Sequence, residues 1–177
     1  MIEKLRSNYK LSNVLIRLAL VLSYILYSWQ SSLGVAAVIV GQMTAVPVTG
    51  TYALFVALIT SALIGVLIMF LTPLISQLFL NYSHFYSVPR AEYGLLTMAF
   101  FTLFFAICGV LKLINLFTPI LLVWGEILFP VVVSLGCLIA FYHVTAKLYF
   151  NNQTKPYYFR SLVITYVILI VLAEVLL

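Results

Sequence analysis

The sequence is poor in acidic residues: among 177 residues there is no aspartate, and there are only four glutamates. Paired carboxylates for general acid–base chemistry, and the acidic ligand sets that hold Mg²⁺ or Ca²⁺, therefore have almost nothing to draw on. The glycine-rich phosphate loop, the H-E-x-x-H motif and the G-x-S-x-G motif are also absent from the sequence. We expect no catalytic residues and predict that the protein is not an enzyme.

Residues that bind metals are equally scarce. Cys108 and Cys137 both fall inside apolar blocks, where a thiol usually behaves as a small hydrophobic group. His84 and His143 are the only histidines, whereas a metal site normally needs three or four ligands. A haem held by two histidines would need both within the helices, and His84 is predicted to lie in a link. We predict no disulfide, no metal and no cofactor.

The sequence is rich in apolar residues. Hydrophobic residues make up 65% of the chain and charged residues 7%, with a mean hydropathy of +1.21, whereas soluble domains carry about a quarter charged residues. The apolar residues form continuous blocks near the roughly 20 residues that a transmembrane helix needs. Because the blocks do not alternate with polar residues, a β-barrel is excluded. The sequence predicts one all-α, polytopic transmembrane helical bundle over residues 1–177.

Five blocks are long enough to span a membrane. They predict spans at residues 11–29, 52–80, 93–113, 120–146 and 161–177. Pro73 is expected to kink the second span. Residues 33–50 contain an apolar core that is too short to cross a bilayer, punctuated by glycine and proline. We interpret this segment as an outer loop and leave open whether it dips into the membrane interface.

The basic residues predict the orientation. If the N-terminus is inside, eight of the nine Lys and Arg side chains are inside and only Lys112 lies at an outer end. A sixth span at residues 33–50 would largely remove this bias, so the positive-inside rule favours five spans with the C-terminus outside. The net charge of +5 is then explained by anionic lipid and not by nucleic acid. Predicted head-group contacts are Arg17, Lys147, Lys155 and Arg160.

One carboxylate interrupts the fourth apolar block. Glu126 is predicted to lie about 10 Å below the outer end of its helix, at 1.5 Å per residue, where an unpaired charge costs a few kcal/mol. Lys112, at the outer end of the preceding span, is the nearest candidate partner, with Glu174 as a third member. Two interpretations stay open: a packing cluster that fixes the helices, or a site that responds to protons or cations.

Small residues recur at four-residue spacing in two of the blocks. Ser61 with Gly65, and Gly136 with Ala140, would each allow a second helix to approach closely. The sequence alone does not decide whether these pairs pack the bundle itself or dock a partner helix.

Two segments in the part of the chain from about residue 52 to 177 are "HFYSVPRAEYGLLTMAFF" and "WGEILFPVVVSLGCLIAFYHV". The first resembles the link into the third span of the Yip-domain family of membrane proteins. The second resembles their fourth span, which opens near a Trp and ends near a His. The tyrosine-glycine-proline signature of eukaryotic members and their cytosolic N-terminal extension are missing. The resemblance implies a five-span, non-catalytic bundle that binds membrane proteins or shapes membranes.

These observations predict a non-catalytic accessory or scaffold protein that docks on other membrane proteins or associates with itself. The alternative is a subunit of a transporter or channel, with Glu126 in a polar intramembrane site. The expected location is a bacterial cytoplasmic membrane, and an organelle membrane is the alternative.

Overall fold

The fold is a bundle of helices. The structure, a computed structural model, describes residues 9–43, 50–117 and 123–176, with side chains at 11–29, 32–33, 51–115 and 128–168. Within these ranges the chain forms five helices and no strand: α1 (Tyr9–Met43), α2 (Gly50–Tyr82), α3 (Arg90–Phe117), α4 (Val123–Tyr149) and α5 (Lys155–Leu176). The all-α prediction is therefore confirmed for the described part of the chain.

Four of the helices are long and apolar enough to cross a membrane. The candidate spans are Leu11–Trp29, Thr51–Tyr82, Arg90–Asn115 and Leu128–Tyr149, close to four of the five predicted blocks. The predicted fifth span falls in α5, whose side chains beyond residue 168 lie outside the described ones. A fifth span and the orientation of the bundle thus stay predictions.

The expected outer loop at residues 33–50 is wrong as far as residue 43, because α1 continues as a helix to Met43. The two glycines in this stretch, Gly34 and Gly41, cost about 1 kcal/mol each relative to alanine, and the helix continues through both. Residues 44–49, which include the helix-breaking Pro47, lie outside the described part. Similarly, α3 runs to Phe117, four residues beyond the predicted end of the third span at residue 113.

The last helix begins six residues earlier than the hydropathy pattern predicts, at Lys155 instead of residue 161. Asn151 explains this start, since its side-chain Oδ1 accepts hydrogen bonds from the backbone N–H groups of Gln153 and Thr154 at 3.2 and 2.9 Å. Such a side chain satisfies the donors that the first helical turn leaves open. Pro156 then occupies the first turn, where its missing N–H costs little.

The helices pack in a simple order. The first three, α1, α2 and α3, contact one another, α4 packs on α3, and α5 packs on α4. Ser61 of α2 meets Ser32, and Gly65 meets Tyr24, so α1 and α2 are antiparallel. Leu20 of α1 packs with Leu95 and Met98 of α3, while Gly109 meets the later residue Leu26, so α1 and α3 run parallel.

The two ends of the bundle differ. We call the end that holds residues 83–89 and 150–154, which connect α2 to α3 and α4 to α5, the link end, and the opposite one the far end. A large buried cluster lies at the link end and joins four helices: Phe79, Leu80, Val88, Tyr93, Leu96, Phe141, Ala146, Tyr158 and Leu162. A smaller one lies between α1 and α3: Leu20, Leu95, Met98 and Phe105.

Candidate functional site

Lys112 contacts α1 near the far end of the bundle. Its Nζ donates a hydrogen bond to the backbone oxygen of Tyr27 at 3.2 Å and lies 4.2 Å from the centre of the Tyr27 ring. That ring packs in turn against Phe104 and Phe105 of α3, with centroids 6.1 and 5.4 Å away. A cation over an aromatic face contributes about 0.5–2 kcal/mol. Lys112 is thus part of the contact between α1 and α3, which the sequence analysis did not foresee.

The other two members of the predicted charge cluster, Glu126 and Glu174, have side chains outside the described ones. Their backbone positions are on α4 and α5, towards the far end. Tyr149 of α4 lies opposite Glu92 of α3, and the two helices are antiparallel. Counting back along α4 to position 126 therefore corresponds to counting forward along α3 to about residue 115, near its end. The cluster therefore stays a prediction, compatible with the helix order.

At the link end, three buried hydroxyl groups form a chain. Tyr93 Oη lies 3.2 Å from Tyr158 Oη, which lies 2.6 Å from Thr145 Oγ1. Thr145 donates to the backbone oxygen of Phe141 at 2.7 Å, so its oxygen is left to accept from Tyr158, and Tyr158 then accepts from Tyr93. Tyr93, Thr145 and Tyr158 are at most 2% exposed. This directed chain ties α3, α4 and α5 together.

Aromatic rings enclose these hydroxyl groups. The rings nearest Tyr158 or Tyr93 are Phe79, Phe85, Phe141, Tyr142 and Phe150. The closest pair, Phe150 and Tyr158, stacks with centroids 4.1 Å apart. Beside them, Tyr149 Oη donates to Glu92 Oε2 at 3.3 Å. The sequence analysis missed this cluster, although the density of Tyr and Phe around both links was a visible signal.

In contrast, α4 is poorly covered towards the far end. Its buried residues, Phe141, Thr145 and Ala146, all lie in the half nearer the link end. None of residues 128–140 is buried against the described part of the chain. Of the four candidate spans, α4 has the smallest buried share, 11%, against 39% for α3. In residues 128–140, each described side chain of α4 is thus exposed or only partly covered.

The two pairs of small residues have different surroundings. Ser61 is fully buried and lies 2.9 Å from Ser32 through their hydroxyl oxygens. A Cβ added at Gly65 would lie 3.4 Å from side-chain atoms of Tyr24 and Val21. This pair therefore packs α2 against α1. At Gly136, an added Cβ would meet nothing within 4 Å.

Gly109, which the sequence analysis did not single out, makes the closest approach between helices. An added Cβ there would lie 2.8 Å from Leu26 Cγ and 3.1 Å from the Leu26 backbone carbon. A glycine inside a helix costs stability and usually has a packing reason, and this was the signal that could have identified it. The contact between α1 and α3 depends on the missing side chain.

Gly136 and Ala140 share the outer surface of α4 with two polar side chains. Ala140, His143 and Lys147 are all exposed, as is Gly136. The spacing of 4, 3 and 4 residues keeps the four positions within about 60° around the helix, at 100° per residue. We call these four residues the α4 stripe.

The predicted head-group contacts lie towards the link end. Arg17 Nε donates to Asn13 Oδ1 of its own helix at 2.8 Å, and Lys155 Nζ donates to Asn152 Oδ1 at 3.0 Å. Lys147 and Arg160 are exposed. A shared end is where basic side chains would meet anionic lipid, while the identity of that membrane face stays a prediction.

No metal site emerges from the described residues, in which no group of three His, Cys, Asp or Glu side chains comes together. His84, at a backbone φ of 57°, places its Nδ1 2.9 Å from Tyr86 Oη in the link between α2 and α3. Both cysteines are free thiols. Within the described residues, the candidate functional site is therefore a helix surface, the α4 stripe.

Comparison of the chain with protein-family models, curated proteins and solved structures found no match. The resemblance to the Yip-domain family accordingly stays a prediction from the two quoted segments.

Proposed function

We propose that the protein is a non-catalytic accessory or scaffold protein of a membrane, which docks on other membrane proteins through α4. The observation that carries this proposal is the open space at Gly136, set against the filled space at Gly65 and Gly109. Of the four glycines whose surroundings are described, Gly65, Gly94 and Gly109 each face a neighbouring helix of the same chain. Gly136 has the same small-residue character and no occupant among the described residues.

The physics of helix association in lipid supports this assignment. Lipid tails are as apolar as leucine, so helices associate through close packing and hydrogen bonds, and small residues allow the closest approach. Large exposed side chains lie beside Gly136 and Ala140 along one side of α4: Val132, Leu135 and Ile139. The small pair therefore forms a shallow depression into which the ridge of another helix would fit.

The test is to fill the depression. We expect Gly136→Ile combined with Ala140→Ile to abolish stoichiometric co-purification of a membrane partner in mild detergent, while the variant folds as judged by circular dichroism. Ala91→Ile, at an exposed position of α3, adds the same kind of side chain elsewhere and serves as the matched control. Unchanged partner yield in the filled variant would contradict docking through α4.

The transport alternative makes a separate prediction. A transporter or channel subunit with Glu126 in a polar site would conduct protons or cations in liposomes, and Glu126→Gln would stop the flux. If the protein is an accessory protein, we expect no proton or cation flux in liposomes that contain either the parent chain or Glu126→Gln. Flux that depends on Glu126 would replace the docking function with transport.

The proposed topology has five spans, with the N-terminus and the link end inside. Its support is the excess of basic side chains towards the link end and the length of α5, 22 residues, which at 1.5 Å per residue reaches about 33 Å. Tags at the two termini, labelled from one side of sealed vesicles, should respond oppositely. Equal labelling of both tags would refute an odd number of spans.

A further inference from the structure

The α4 stripe carries polar groups in addition to small ones. His143 lies six residues before the end of α4 at Tyr149, which places it about 9 Å along the helix from that end. It is exposed and forms no hydrogen bond with the described side chains, and its nearest ring is that of its neighbour Tyr142. Polar side chains within a membrane span are costly and usually face a partner or a cavity.

We propose that the α4 stripe binds a transmembrane helix of another protein that presents a carboxylate to His143 and Lys147. This inference rests on the proposed docking function and adds the chemistry of the partner. The small residues Gly136 and Ala140 admit the backbone of the incoming helix. About two and three turns after Gly136, His143 and Lys147 each supply hydrogen-bond donors, and Lys147 adds a positive charge, for which a Glu or Asp side chain is the matching group.

Charge complementarity favours a different protein over a second copy. The chain has nine basic and four acidic residues, and Glu92, the acidic residue whose side chain is described, already accepts from Tyr149. A two-fold symmetric dimer through the stripe, with parallel α4 helices, would place Lys147 against Lys147. That repulsion would weaken a self-association that buries the stripe.

Depth favours a helix over a lipid head group. Lys147 is within one turn of the end of α4, where lipid phosphates lie. His143 is about one turn deeper, at 1.5 Å per residue, and Gly136 is deeper again. A phosphate at the membrane surface would engage Lys147 alone, whereas a helix running along α4 would meet all four positions.

The experiment uses the full-length protein in phosphatidylcholine vesicles and three synthetic leucine-rich transmembrane peptides. Each peptide carries a Gly-x-x-x-Ala face. The three peptides differ at one position, which holds Glu, Gln or Leu. This position is seven residues after the glycine, the same spacing as between Gly136 and His143. Binding is measured by energy transfer from labelled protein to labelled peptide. We expect the Glu peptide to bind on the order of threefold to tenfold more tightly than the Gln peptide, a range typical of hydrogen bonds between helices in lipid.

Two variants assign this preference to the stripe. His143→Phe and Lys147→Gln should each reduce the preference for Glu over Gln, and two sites guard against one variant failing to fold. Lys155→Gln, a basic position on α5, is the control and should retain the preference. A preference that survives in both folded stripe variants would overturn the proposal.

The remaining outcomes separate this inference from the docking function. Equal binding of the Glu and Gln peptides, both lost when Gly136 is filled by Ile, would overturn the carboxylate partner and leave docking intact. Binding of none of the peptides would overturn both. Displacement of the Glu peptide by phosphatidylglycerol, with no effect of Gly136→Ile, would identify the stripe as a lipid site and overturn the proposal.

Discussion

Replacing each of three glycines with alanine should change the stability of the bundle according to the space around the added methyl group. At Gly109 the new Cβ would lie 2.8 Å from a side-chain atom of Leu26 and 3.1 Å from its backbone, so α1 and α3 must move apart. At Gly65 the nearest atoms are 3.4 Å away, an ordinary contact, and at Gly136 the space is empty. The series therefore varies the space around one added methyl group.

The magnitudes follow from two opposing terms. Alanine is favoured over glycine inside a helix by about 1 kcal/mol, and this gain applies at all three positions. Forcing a methyl group into a tightly packed contact costs about 1–3 kcal/mol, and this cost applies at Gly109. We expect Gly109→Ala to lower the free energy of unfolding by up to about 2 kcal/mol, and Gly65→Ala and Gly136→Ala each to raise it by up to about 1 kcal/mol.

The free energy of unfolding is measured by titrating sodium dodecyl sulfate into mixed micelles and following helix content by circular dichroism. All three variants are compared with the parent chain in one detergent, so that the micelle contributes equally. If Gly109→Ala were as stable as Gly136→Ala, the close approach of α1 and α3 at Gly109 would be contradicted. The comparison would then no longer distinguish Gly136 as an open position.

Three further predictions concern polar contacts between helices. Tyr158→Phe removes the middle hydroxyl of the buried chain and should cost about 1–3 kcal/mol, more than Tyr93→Phe at its end, in the same unfolding titration; equal losses would contradict the directed chain. Lys112→Met removes the cation over Tyr27 and should cost about 0.5–2 kcal/mol; unchanged stability would show that the contact contributes nothing. Tyr166→Phe removes a hydroxyl contact to Ser134 and should speed hydrogen exchange in α5 while leaving α1 unchanged; equal exchange would contradict its role in holding α5.

Hydropathy predicted the helical class and the positions of four spans because burial in lipid depends on the local composition of each segment. It failed where local chemistry decides the boundary. The first span was predicted at residues 11–29, and the apolar window has these bounds, but the helix continues to Met43 through a segment that was interpreted as a loop because of its glycines and proline. The start of α5 was placed too late because the capping by Asn151 leaves no trace in hydropathy.

The order of helix packing was not predictable from the single sequence, so the neighbours of the candidate site residues could not be assigned. The contact of Lys112 with Tyr27 of α1 was missed because its partners were sought only on the two later helices, while its pairing with Glu126 stays a prediction. Ser61 and Gly136 had the same sequence signal, and only the packing order shows that one is covered and the other open. Position along a helix was predictable, but the neighbour of each face was not.

The length of α1 has a consequence for the shape of the protein outside the bilayer. Its 35 residues make a rod of about 52 Å, and even a steep tilt of about 40° leaves a projection of about 40 Å against a hydrocarbon core of about 30 Å. Roughly 10 Å of helix must therefore emerge into water or head groups. Because the apolar window of α1 ends at Trp29, the part that extends beyond this minimum is residues 30–43, about 21 Å of helix at 1.5 Å per residue, at the far end of the bundle.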